Sequence, residues 1–154
     1  MATSDIHALS ASPVDLMIGG RAWKVSRLSI LEVLGEFGKL VRERNLSDIV
    51  TACKGIADKA ERQDMVKALM RDAPRGRELE DEARQTLDTV EGGVRLLWMA
   101  LRRLQPELTL EQAVELATQQ NATEVSVAIE FAMGGDLEEI QRKAKKEPVD
   151  PKKS

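Results

Sequence analysis

The chain has 154 residues and a formal net charge of −3, with 32% charged and 42% apolar residues, suiting one domain with a real core. Its near-balanced charge argues against a chain-wide attraction to nucleic acid, and no apolar run approaches the roughly 18–20 residues needed to span a bilayer. With 3% aromatic residues and no tyrosine, the core must be built from Leu, Val, Ile, Ala and Met, which favours helix-on-helix packing.

Residues 1–13 are small and polar, read as a flexible arm with neither a basic start nor the apolar core of a signal peptide. The one clear β signal follows. Val14, Leu16 and Ile18 alternate with Asp15 and Met17, Gly19-Gly20 supplies a tight turn, and Trp23 and Val25 alternate on the return. A two-residue loop pairs Ile18 with Arg21, Leu16 with Trp23 and Val14 with Val25. An isolated hairpin is marginal in water, so its apolar face must pack on something.

Helical patterns dominate from there. Ser29 and Glu32 form a capping-box pattern ahead of a helix over about 30–44, in which Gly35 and Gly38 either weaken the helix or permit close packing. Asn45 and Ser47 suggest a break before a second helix at about 48–60. A third segment, about 62–72, carries Met65, Val66, Leu69 and Met70 and ends at Ala73-Pro74-Arg75-Gly76. The longest candidate covers about 77–104. Ala83, Leu87, Val90, Val94, Leu97, Leu101 and Leu104 follow a heptad seam, with Gly92-Gly93 marking a kink, a close helix contact or a break. Pro106 ends it. Thr109 and Gln112 form a second capping-box pattern before a helix at about 110–119, and Asn121 is placed to cap another at about 122–133. Gly134-Gly135 stops that one, and Asp136 can cap a last helix. From Gln141 onward the basic, proline-containing sequence reads as a disordered tail. The expected fold is mostly α, a multi-helix bundle of about six helices preceded by a short β-hairpin. Its expected divisions are an arm (1–13), a helical domain (14–140) and a tail (141–154).

Catalytic chemistry finds little to work with. The single histidine, His7, falls in the arm, where nothing would orient it as a base, and no His/Cys cluster suggests a metal site. Cys53, the one cysteine, fits a reducing compartment and lies on an apolar helical stripe, where a thiol behaves as a small hydrophobe. The glycine pairs lack the helix and lysine of a phosphate loop. The expectation is a protein without enzymatic activity, cofactor or metal. Residues 108–132 have the rhythm of a helix-turn-helix, but the would-be reading helix holds Glu124 and Glu130 and no Arg or Lys. The basic tail has no interleaved aromatics for base stacking. Partner binding remains: Trp23 and Trp98 are the largest apolar side chains, each read first as buried core and otherwise as a binding hot spot.

The order of these pieces resembles a known family. A strand pair around Gly-Gly leads through VSRLSILEVLGEF (25–37) into a helix. GGVRLLWMALRRLQPELTLEQAVEL (92–116) then gives an apolar helix, a Gln-Pro break and a Thr-capped helix, and FAMGGD (131–136) closes the pattern. Over residues 14–136, least so at 45–90, this resembles the tail assembly chaperones of tailed bacteriophages of the siphophage type. The resemblance implies a host-cytoplasmic protein that binds the tape measure protein, and with it the tail tube protein, keeping the tape measure's apolar helices soluble during tail tube assembly. Val94, Leu97, Trp98, Leu101 and Trp23 are the expected partner-binding residues, with self-association an open possibility. Neither nucleic acid nor membrane is an expected partner. The rival readings are a structural virion component, such as a minor tail or connector protein, and then a helix-turn-helix DNA-binding regulator.

Overall fold

The computed structural model describes residues 12–146, so His7 and the segment from Glu147 onward lie outside the described residues. The order is β1 (Val14–Ile18), β2 (Arg21–Val25), α1 (Ile30–Ala52), α2 (Lys59–Asp72), α3 (Arg77–Leu87), α4 (Val90–Arg102), α5 (Leu110–Leu116), α6 (Ala122–Ala132) and α7 (Leu137–Lys146). The protein is thus mostly α, with seven helices among the described residues and an N-terminal two-stranded antiparallel hairpin. The described residues divide into two compact units, 12–30 with 90–146, and Leu31–Thr89.

In the first unit the hairpin takes the expected register: Val14 pairs with Val25, Leu16 with Trp23 and Ile18 with Arg21. Gly19 (φ 62°) and Gly20 (φ 81°) form the turn, a backbone that glycine adopts without steric cost. A Cβ at Gly19 would also come within 3.0 Å of Asn121 Nδ2. The buried face of the hairpin (Leu16, Ile18, Trp23, Val25) lies against α4 and α6. That contact supplies the burial that an isolated hairpin lacks.

The segment after β2 is fastened by main-chain and side-chain bonds. Ser26 N–H donates to Ala100 O (3.0 Å) and Leu28 N–H to Ala132 O (2.8 Å). Gln105 acts as a surrogate strand: its Oε1 accepts from Lys24 N–H (2.9 Å) and its Nε2 donates to Lys24 O (3.1 Å). Arg27 forks onto the end of α6, donating to Phe131 O (3.2 Å) and Gly135 O (3.1 Å) with its guanidinium 4.3 Å from the Phe131 ring centre. A cation there adds charge-assisted bonds to carbonyls at the end of the helix and complements the helix dipole. The same helix end is a Schellman turn. Gly134 (φ 104°) donates to Phe131 O (3.1 Å) and Gly135 to Glu130 O (2.9 Å). Arg27→Met is therefore expected to cost about 2 kcal/mol, because charge-assisted bonds to partly buried carbonyls are lost. Arg27→Lys should recover only part of that, since an ammonium cannot fork. Urea denaturation of the three proteins measures the difference.

Four boundaries differ from expectation. The helix foreseen at 30–44 and the start of the one foreseen at 48–60 are one 23-residue helix, α1, running through Asn45 and Ser47 and ending at Ala52, while residues 59–60 already belong to α2. Neither residue breaks a helix; each costs only some tenths of a kcal/mol against alanine. The segment foreseen as one helix over 77–104 is two, and it is not Gly92-Gly93 that divides it. The break falls at Asp88-Thr89, where Asp88 N–H turns back to Gln85 O and Thr86 O, and Thr89 Oγ1 donates to Thr86 O at 2.6 Å. Local side-chain bonds of this kind compete with the helical ladder. The heptad seam is consequently not continuous: Val90 is 88% exposed while Leu97 and Leu101 are fully buried. The capping box at Thr109–Gln112 forms in both directions, but α5 stops at Leu116. Asn121 does not cap α6 with its side chain and instead donates to Leu116 O (2.9 Å), closing α5. Finally, residues 141–146, expected to be disordered, continue α7, whose Ile140 is buried.

In the second unit, α1 buries Val33, Phe37, Gly38 and Val41, and α3 buries Leu79, Ala83 and Thr86. Arg44 donates to Thr86 Oγ1 (3.1 Å), tying α1 to α3. Asp58 caps α2 through Glu61 N–H (3.4 Å). Yet α2 buries none of its residues.

Candidate functional site

The five residues expected to bind a partner do not share one presented surface. Leu97 and Leu101 are fully buried and Trp23 is 6% exposed, so three of the five belong to the interior of the folded chain. Helical spacing gave Val94, Leu97 and Leu101 one signature, because a core stripe and a binding stripe have the same period, and Trp23 likewise stands on the alternating apolar face of the hairpin. Val94 and Trp98 are half-buried. Trp98 is also engaged: its Nε1 donates to Leu108 O (3.0 Å), pinning α4 to the turn before α5, and Arg102 stacks 4.1 Å from its ring centre.

Trp23 borders a cleft of about 330 Å³ with Leu108 and Leu116. Arg21 stacks over its ring at 4.2 Å, and its buried Nε1 has no hydrogen-bond partner. Gln105 and Gln112 also line this cleft, but the Gln105 amide is spent on Lys24 and the Gln112 Oε1 on Thr109 N–H. What remains for a ligand is a small apolar floor with Glu107 and Glu115 at the rim. Cys53 is 2% exposed, and a nucleophilic or metal-binding thiolate needs access. Among the described residues no group of three or more His, Cys, Asp or Glu side chains could hold a metal ion, and no helix is long and apolar enough to cross a membrane.

The surface suited to a protein partner lies in the second unit. A groove of about 360 Å³ runs between α1 and α3, with Leu34, Gly35 and Gly38 on one side and Leu79 and Ala83 on the other. Leu31 stands at its mouth, 80% exposed, and Arg42 and Glu80 supply charge. The glycines have ordinary negative φ, and a Cβ on either would meet nothing within 4 Å. They are therefore required neither by backbone conformation nor by close packing inside this chain. An interior helical glycine costs about 0.5–1 kcal/mol relative to alanine, and here it leaves a trough open. Gly35→Ala/Gly38→Ala is expected to raise the melting temperature by a few degrees, since it adds helix propensity without a clash; calorimetry reads the shift.

Further apolar side chains are exposed in this unit. On α2, Met65 and Leu69 are exposed and Val66 and Met70 half-buried, and the last turns of α1 expose Leu46 and Val50. Methionines are flexible and polarizable, suited to contacts that must adapt to varied apolar partners. Sequence reading missed the groove. Its signal was the pair Gly35 and Gly38, one turn apart in a helix otherwise rich in Leu and Val, but only the neighbouring helix shows that the trough stays unfilled.

In comparisons with known proteins, no family model, curated protein or solved structure matches this chain.

Proposed function

We propose that this chain is a tail assembly chaperone of a tailed bacteriophage: a non-enzymatic host-cytoplasmic protein that holds apolar helices of the tape measure protein until tail tube subunits enclose them. The observation that carries the reading is the unfilled apolar groove between α1 and α3. An amphipathic helix laid in such a groove buries its apolar residues at i, i+3 and i+4 spacing. Glycines on the floor let the axis of the guest approach closely, since interaxial distance is set by the side chains at the contact. The order of motifs from the hairpin to FAMGGD supports the choice of client class. A charged surface, 32% of residues in this chain, keeps a protein with exposed apolar faces dispersed.

The test is co-expression with the tape measure protein encoded in the same genome. The expected result is a larger soluble fraction of the tape measure and its co-purification with this chain. An insoluble tape measure with or without the chain would refute the proposal. Purified virions decide against the nearest rival: a chaperone is absent from them, whereas a minor tail or connector protein is present.

A further inference from the structure

The two edges of the hairpin are treated differently. With a two-residue turn, Ile18–Arg21, Leu16–Trp23 and Val14–Val25 are the pairs that exchange hydrogen bonds, so the N–H and C=O of the residues between them point outward. On β2 this outer edge is largely taken: Gln105 takes both groups of Lys24, and Ala100 O takes Ser26 N–H one step on, so that only Ala22, beside the turn, keeps its outward groups open. On β1 the outward groups are those of Asp15 and Met17, with Gly19 N–H next along the same edge. Glu124 accepts from Gly19 (3.2 Å). Among the described residues none bonds to the outward groups of Asp15 or Met17. Beside them runs a groove of about 380 Å³, walled by Val127 of α6 and by Ala144 and Lys145 of α7.

We propose that this edge of β1 is a docking strand for a single extended segment of another protein, one with alternating apolar residues and a lysine or arginine beside Asp15. Main-chain complementarity dictates the extended backbone, because unpaired strand groups are satisfied by another strand. Alternation follows from the pleat: the guest residue beside Leu16 enters the groove toward Val127 and Ala144, and its neighbours stand beside Asp15 and Met17. The basic residue follows from charge. Asp15 faces Lys24 across the hairpin, and on its other flank the groove holds two carboxylates, Asp15 and Glu124, against the single ammonium of Lys145, a surplus of negative charge that a guest lysine or arginine offsets. A second copy of this chain fits poorly: it would bring its own Asp15 carboxylate and its own α6–α7 wall to the same edge. This site lies in the first unit, does not involve the α1–α3 groove, and stands whether or not the client of that groove is a tape measure protein.

The experiment uses the full 15N-labelled chain and the capped probe peptide Thr-Val-Lys-Val-Thr, followed by amide hydrogen exchange. In the free chain Asp15 and Met17 amides should exchange rapidly. With millimolar peptide they should slow by about tenfold or more, as amides do on entering a ladder, while Lys24, already held by Gln105, stays unchanged. The same peptide N-methylated along the edge that would face β1, or with Lys replaced by Glu, should lose that protection. Met17→Pro should abolish it as well without melting the hairpin, because the N–H it removes points away from β2. The peptide controls leave the chain itself unaltered. Absence of protection at millimolar peptide, or equal protection by the N-methylated peptide, overturns the proposal. So does protection already present in the free chain, whether it rises with protein concentration (a second copy) or vanishes when residues 1–11 are removed (the chain's own start).

Discussion

Leu97→Ala is expected to destabilise the protein by about 3–4 kcal/mol, the cost of removing a fully buried leucine side chain and leaving a cavity behind. For a chain of this length that lowers the melting temperature by roughly 10 °C. Leu97 lies in α4, which also buries Leu96, Met99, Ala100 and Leu101. Urea unfolding checks it: the midpoint should fall with an unchanged denaturant slope. A melting point within a degree of the parent would show that Leu97 is not a core residue. Any loss of client capture in this variant must be judged against that destabilisation. Trp98, half-buried and bonded to Leu108 O, is the only aromatic on α4 where truncation and presentation can be separated.

Gly38→Leu is expected to reduce capture of a helical client by about tenfold or more while leaving the melting temperature unchanged or slightly raised. A Cβ at this position meets nothing within 4 Å, and leucine is the better helix former by most of a kcal/mol. The added side chain projects into the α1–α3 groove, replacing the surface that a guest helix would bury. Filling a groove forfeits roughly 25 cal/mol for each Å² of apolar contact that can no longer form. Co-purification with the tape measure protein measures capture, and calorimetry on the free protein measures stability. Full capture by a stable Gly38→Leu protein would exclude the groove as the client site. The exposed face of α2 would then be the surface to charge, with Met65→Glu and Leu69→Glu.

Local chemistry was legible wherever a short-range rule governs it. The hairpin register follows from alternation around Gly19-Gly20, because a one-residue slip would turn Leu16 and Ile18 out to water. The Thr109–Gln112 box forms as read, since its two hydrogen bonds close within one turn. Breaks were less legible. Asn45-Leu46-Ser47 and Asp88-Thr89 are both polar punctuation in helical sequence, yet only the second ends a helix. Propensity differences of some tenths of a kcal/mol cannot separate the two, and packing of the flanking turns decides.

The division between core and surface shows the same limit. By itself the sequence determined the class of this protein: a strand pair and a succession of helices, with apolar periodicity strong enough to build a core without disulfides. It also nominated Leu97, Leu101 and Trp23 as important apolar residues. Tertiary structure alone decided what they are for, and it placed all three inside. The open surfaces fell elsewhere, to a trough over Gly35 and Gly38 and to an α2 helix that buries nothing. The reason is physical. Periodicity records that a helix face is apolar, whereas burial depends on which other element arrives to cover it, and that is a property of long-range contacts no local pattern encodes.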